Sequence, residues 1–331
     1  MKKLLLINFL YIFLFVILLE ITSIFLAMNE FYKNEKEPAV LKRCKGSNII
    51  EAVINTYKQK PFLSYEDAKS NLHPVIGREY TKKRIILFGC SVTYGNLLNE
   101  NKNFSGVLSK ITKRPVYNMA FDGWGPSHML KLIREDRSLI FGEEPEYIIY
   151  TYINDHKRRI ISHQGWPYSS QLYKIYDFDK NSQIIDVPRK YPNYWRFLSV
   201  KHIQCLYERL ILRNEKYINS FLYKILEESA TIIKKRYPNT KLIMLLYDVK
   251  ICLNKENTEI SKINNIISDE EYKKFKELGF EVYSIEELAG KSFCGIEYHA
   301  KCPIYGDLDL KHPSTKMWEE FVPKLVEKLN M

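Results

Sequence analysis

Five apolar runs of strand length punctuate this chain: "RIILFG" (84–89), "PVYNMA" (115–120), "EYIIYTYI" (146–153), "KLIMLLYD" (241–248) and "FEVYSI" (280–285). Most of them run continuously apolar through their middles instead of alternating. Such runs belong to strands covered on both faces, the habit of parallel sheets. Helix-like stretches separate or follow them: "FSGVLSKIT", "PSHMLKLIREDR", a long one near 215–236, "SDEEYKKFKELG" and the C-terminal "STKMWEEFVPKLVEKLN". Strands alternating with helices imply right-handed crossovers and an open, doubly wound α/β sheet of about five parallel strands. Ser314 is placed to cap the last helix, Pro323 predicts a kink in it, and Gly279 is placed to stop the helix before it. The 331 residues suffice for one sizeable α/β domain with additions.

The additions are visible at the front and in the middle. "MKKLLLINFLYIFLFVILLEITSIFLAMNE" runs almost wholly apolar from residue 4 to 28. That exceeds the roughly 20 residues that span a bilayer and the 7–15 of a signal-peptide core. Lys2 and Lys3 favour a cytoplasmic N-terminus, so residues 1–28 are expected to be a transmembrane signal anchor with the rest outside the cytoplasm. Glu20 interrupts the run, and the small residues near its end leave a cleaved signal as the alternative. Residues 29–80 are Lys-rich, hold Pro38, Pro61 and Pro74, and read as a spacer before a domain at 81–331. The stretch between the third and fourth strands is too long for a simple crossover, so residues 156–214 are expected to be an insertion. It carries Trp166, Tyr168, Tyr173, Tyr176, Tyr191, Tyr194 and Trp195, either to stack on sugar rings or to form a small core of their own.

Charge and cysteines narrow the chemistry. Lys and Arg number 50 against 39 Asp and Glu, but the basic residues are spread without a run of five or six. That pattern argues for general attraction to anionic surfaces and against a nucleic-acid groove; no nucleic acid is expected as a partner. The six cysteines show no C-x-x-C pair, which disfavours a zinc ribbon or a thioredoxin-type site. Cys294 and Cys302 are candidates for a disulfide in an oxidising compartment. With His299 between them they also suggest a metal, but no fourth ligand is evident. Neither metal nor cofactor is expected.

In open α/β sheets ligands bind beyond the carboxyl ends of the strands. Ser91 stands there, just after "RIILFGC", with Gly89 to allow a tight turn. A serine hydroxyl needs a base to become a nucleophile. "DLDLKHPSTKMW" supplies one: Asp309 and His312, three apart, are expected on a short turn ahead of the last helix. There the carboxylate accepts from Nδ1–H and leaves Nε2 facing a hydroxyl. Oxyanion donors are available at two neighbouring strand ends. "NMAFDGWGP" offers the backbone N–H of Gly123, with Gly125 as competitor, and "YTYINDHKR" offers the side-chain amide of Asn154.

The four blocks "GCSVTYG", "NMAFDGWG", "YIND" and "DLKHP", in this order, resemble those of the SGNH (GDSL-like) hydrolase family over roughly residues 82–331. The resemblance implies a flavodoxin-like three-layer α/β/α sandwich. It implies Ser91 as nucleophile, Asp309 and His312 as its triad partners, and Gly123 and Asn154 as oxyanion donors. A membrane-anchored domain of this kind resembles those that remove or transfer acetyl groups on cell-surface glycans, so the implied partner is an ester-bearing glycan or a small acyl ester. Two departures stand out. Cys90 takes the place of the usual aspartate, and Tyr152 that of the usual glycine before Asn154. A bulky residue at 152 is expected to narrow the site or re-aim Asn154. With the aromatic insertion, it motivates the alternative of a catalytically impaired protein that binds glycan or a membrane partner.

Overall fold

The computed structural model describes Tyr11, Leu18 and residues 75–77, 79–95, 98–121, 124–134, 143–160, 176–178, 183–186, 215–247, 267–301 and 308–331. Along the chain these form β1 (Val75–Ile76), β2 (Ile85–Phe88), α1 (Ser91–Tyr94), α2 (Phe104–Thr112), β3 (Val116–Asn118), α3 (Pro126–Arg134), β4 (Tyr147–Tyr152) and α4 (His156–Ile160). There follow β5 (Tyr176–Phe178), β6 (Ile184–Asp186), α5 (Glu215–Arg236), β7 (Lys241–Leu246), α6 (Asp269–Glu277), β8 (Glu281–Ser284) and α7 (Ile285–Ala289). A 3₁₀ turn (Ile296–Tyr298), β9 (His299–Lys301), β10 (Leu308–Pro313) and α8 (Thr315–Leu329) complete it.

The five apolar runs are β2, β3, β4, β7 and β8, and they pair in parallel. Their order across the sheet is β3-β2-β4-β7-β8. Numbered by chain order among themselves, that is the flavodoxin-like 2-1-3-4-5 arrangement. Side chains alternate between two buried faces, as a pleated strand requires. Ile86, Phe88, Ile148, Tyr150 and Met244 pack with residues of α3, α5 and α6, among them Leu130, Phe221 and Phe275. Ile85, Leu87, Ile149, Ile243 and Leu245 pack with residues of α2 and α8, among them Phe104, Trp318 and Phe321. The result is three layers with a hydrophobic core on each side of the sheet.

Local signals explain the helix ends. Ser314 Oγ accepts from Met317 N and caps α8, which continues through Pro323. Ser268 and Glu271 form a capping box at the start of α6. Gly279, at φ +89°, ends that helix, where its N–H donates to the Lys276 carbonyl.

The strands depart from the sequence expectation in two places. The sheet has a sixth strand: β1 pairs antiparallel to β3, so the segment assigned to a spacer contributes an edge strand. Two residues are too few to show any periodicity. Asp309 and His312 lie on strand β10, paired antiparallel with β9, and not on a short turn. Leu308 and Leu310 alternate with polar neighbours there, a strand signal in the sequence itself.

The expected anchor at residues 1–28 lies outside the described residues apart from Tyr11 and Leu18, both helical and exposed. Among the described residues no helix is long and apolar enough to cross a membrane. Of the expected insertion, the described parts include α4 and the β5–β6 antiparallel pair. Arg134 ties that pair to the body, donating through Nη2 to the Ile184 carbonyl at 3.1 Å and through Nε to Glu228 on α5 at 2.6 Å. Tyr176 falls in β5, and the other six aromatics named above lie outside the described residues.

Candidate active site

The strand order reverses direction at β2, whose neighbours β3 and β4 follow it in the chain. The crevice at the carboxyl ends of β2 and β4 is the switch point where open α/β sheets bind ligands. Ser91 follows β2 there, and Asn154 follows β4.

The turn bearing Ser91 is compact and closely supported. Gly89 has φ +154°, and a Cβ on it would meet Thr93 Oγ1 at 2.2 Å, so the single-turn helix α1 folds directly over a position only glycine suits. Gly95, at φ +85°, closes α1 by donating to the Ser91 carbonyl. Asn118, fully buried at the end of β3, donates Nδ2 to the Thr93 carbonyl at 3.2 Å and the Tyr94 carbonyl at 3.4 Å. Asn103 adds a second bond to the Tyr94 carbonyl at 3.0 Å while its Oδ1 caps α2. The carbonyls at the end of a short helix have no partners within it, and two buried asparagines supply them. Ser91 itself is nearly buried, at 7% exposure, and Cys90 beside it is fully buried.

His312 is buried on β10. Residues of α1 and β10 approach within 8 Å between Cα atoms, so the serine turn and the strand carrying Asp309 and His312 meet although more than two hundred positions separate them in the chain. In a regular strand, residues three apart point to opposite faces. The register of β10 against β9 shifts between Asp309, opposite Ala300, and Pro313, opposite His299. The structure joins the two elements; the pairing of Ser91 Oγ with the His312 imidazole belongs to the proposed chemistry.

Of the two expected oxyanion donors, Asn154 is half-buried at the end of β4, and Gly123 lies outside the described residues. The competitor Gly125 directs its N–H to His128 Nδ1 at 3.3 Å. Tyr152 does not crowd the site. Its ring is fully buried beneath α6, edge-on to Phe275 with centroids 5.0 Å apart, and its hydroxyl donates to Glu271 Oε1. The expectation that this tyrosine narrows the site is corrected: alternation along β4 turns its side chain into the core.

Sequence reasoning did not single out the buried network around Asn154. His156 Nδ1 lies 2.8 Å from the Tyr150 hydroxyl and accepts from Ile153 N at 3.4 Å. Burial, and then the charge of Arg159, push the His156 imidazole well below its ordinary pKa, while burial pushes the Tyr150 phenol well above its own. Both are therefore neutral. Arg159 donates Nε to Asp155 Oδ2 at 2.9 Å and Nη1 to the Trp124 carbonyl at 2.7 Å. The i,i+4 spacing of Asp155 and Arg159 was the available signal. Cys294 is disulfide-bonded.

No family model matches this chain, and no curated protein matches it. Solved structures do. A carbohydrate esterase family 2 enzyme from Corynascus thermopiles (Myceliophthora fergusii) is 10% identical with a TM-score of 0.41, covering 76% of this chain and 66% of that one. An acetyl xylan esterase from Butyrivibrio proteoclasticus is 12% identical with a TM-score of 0.40, covering 76% and 64%. The chain thus spans less than two thirds of either esterase. A member of the lipolytic protein G-D-S-L family from Veillonella parvula is 13% identical with a TM-score of 0.40, covering 75% and 99%. The fold is read from the strand order, independently of these likenesses.

Proposed function

We propose that this protein is a serine esterase or O-acyltransferase of the SGNH type, acting on O-acetyl or similar esters of a cell-surface glycan. Ser91 Oγ attacks the ester carbonyl while His312 takes its proton, with Asp309 orienting the imidazole. Asn154 and Gly123 donate to the oxygen that becomes negative. The imidazolium returns the proton to the departing alcohol, which leaves an acyl-serine. Water resolves it in hydrolysis, or a sugar hydroxyl in transfer.

The observation that carries this reading is the contact between α1 and β10 at the mouth of the sheet's switch point. The binding-only alternative rests on the aromatic insertion, since Tyr152 is packed inside the core. The apolar run at residues 4–28 supports a single-pass anchor with a cytoplasmic N-terminus. The disulfide at Cys294 supports an oxidising, extracytoplasmic location for the domain.

The test is hydrolysis of p-nitrophenyl acetate by the purified, detergent-solubilised chain beside Ser91→Ala. The expected loss is about 10⁴-fold or more, as when a triad nucleophile is removed. Equal rates for the two proteins exclude Ser91 from the mechanism.

A further inference from the structure

Arg159, near the carboxyl end of β4, has partners on both sides: Asp155 just after that strand and Trp124 just ahead of α3. Its side chain is only 6% exposed. Nε donates to Asp155, the residue after Asn154. Nη1 donates to the carbonyl of Trp124 at the far end of the loop that follows β3. Trp124 N donates to the Phe121 carbonyl at 3.1 Å, and Trp124 stacks on His128 with centroids 5.1 Å apart. The stem of Arg159 passes against Gly125, where an added Cβ would touch Arg159 Cβ at 3.5 Å.

One rigid, planar guanidinium thus spans two loops that share no secondary structure. The charge-assisted bond to Asp155 fixes the fork, and the fork fixes the Trp124 carbonyl. The buried imidazole of His156 stays neutral beside it.

We infer that Arg159 is a positioning residue: through Asp155 and the Trp124 carbonyl it fixes the end of β4 that carries Asn154, and so holds that oxyanion donor where the developing charge appears. This rests on the serine-esterase reading. Arg159 touches no reacting atom; it acts through Asp155 and Trp124. A donor displaced by about 1 Å costs on the order of 100-fold in rate, which sets the scale of the effect.

The test compares the full chain with Arg159→Lys on p-nitrophenyl acetate, with Ser91→Ala alongside. Lysine keeps the charge but cannot direct parallel N–H groups to both acceptors. The expected result is a kcat lower by about 10- to 100-fold with KM within about twofold. Labelling of Ser91 by a fluorophosphonate should slow in proportion, and the melting temperature should stay close to that of the parent. A kcat within about twofold of the parent, with Ser91→Ala inactive, overturns the inference and leaves the esterase reading standing. Full activity in Ser91→Ala overturns both. Should Arg159→Lys fail to fold, Asp155→Asn reads the same brace from its other end: a fall in kcat at constant KM supports the inference, and an unchanged kcat overturns it.

Discussion

The two halves of the proposed site are built differently. The serine end is part of the main sheet. Its turn leaves a central strand, sits over Gly89, and is held by Asn118 from the neighbouring strand and Asn103 from the next helix. The histidine end is an appendage. Among the described residues β10 pairs with β9, outside the six-stranded sheet, and runs through Ser314 into α8. Ser314 Oγ donates to the Glu297 carbonyl at 2.7 Å, and Ser314 N donates to the Tyr298 carbonyl at 2.8 Å. A nucleophile fixed by the whole fold thus meets a base carried on a small two-stranded piece. Damage to the first should cost stability and turnover together; damage to the second should cost turnover at little expense in stability.

The largest effect is expected at Gly89. Replacing it by alanine combines a backbone conformation unfavourable to L residues with a Cβ 2.2 Å from Thr93 Oγ1. A loss of about 3 kcal/mol is expected from strain and overpacking. Urea denaturation should show the midpoint falling, with esterase turnover falling in step. If Gly89→Ala loses turnover at full stability, the serine end is less embedded than described.

Ser314→Ala sharpens the contrast from the other side. It removes the cap of α8 and the bond to Glu297, and about 1 kcal/mol of stability is expected to go. Turnover should fall by more than so small a destabilisation accounts for, because the strand carrying His312 loses its anchor while Ser91 is untouched. Measuring kcat and the urea midpoint on one preparation tests this; a midpoint change with kcat intact shows β10 held by other contacts.

The smallest effect concerns pH at the strand end between the two. His156 is buried neutral, with its pKa well below 6.5 in the folded state. The unfolded chain therefore binds a proton that the folded one refuses as pH falls through the ordinary histidine range. The contribution of this residue to stability is fully present above about pH 6.5 and is lost progressively below it. Asp155, Arg159 and His128 are the charged or titratable groups acting on it. His156→Gln should flatten the acid limb of a plot of melting temperature against pH; an unchanged limb assigns the acid sensitivity elsewhere.

The core of the fold was legible because burial on both faces demands continuous apolar runs, and these runs became the five parallel strands. β1 was not legible, because two residues carry no period. The placement of Ser91 and Asn154 at strand ends followed from the same runs. The small sheet under Asp309 and His312 was missed although Leu308 and Leu310 alternate; the proximity of two polar residues outweighed the period-2 signal. Tyr152 was misjudged for a related reason. Replacement of a glycine drew attention to size, while the direction of the side chain, set by its parity along β4, decided the outcome. The clamp of Arg159 on a backbone carbonyl was beyond sequence reading, since a carbonyl acceptor leaves no mark on residue identity.

The short strand β1 has a practical meaning for anyone trimming this chain. Val75 and Ile76 cover the hydrogen-bonding edge that Val116 and Tyr117 would otherwise present, and the Ser109 hydroxyl reaches the Ile76 carbonyl at 3.3 Å. A bare strand edge invites pairing with another chain. A soluble fragment for crystallisation should therefore begin well upstream of Val75, and one begun at residue 81 is expected to self-associate through the uncovered border.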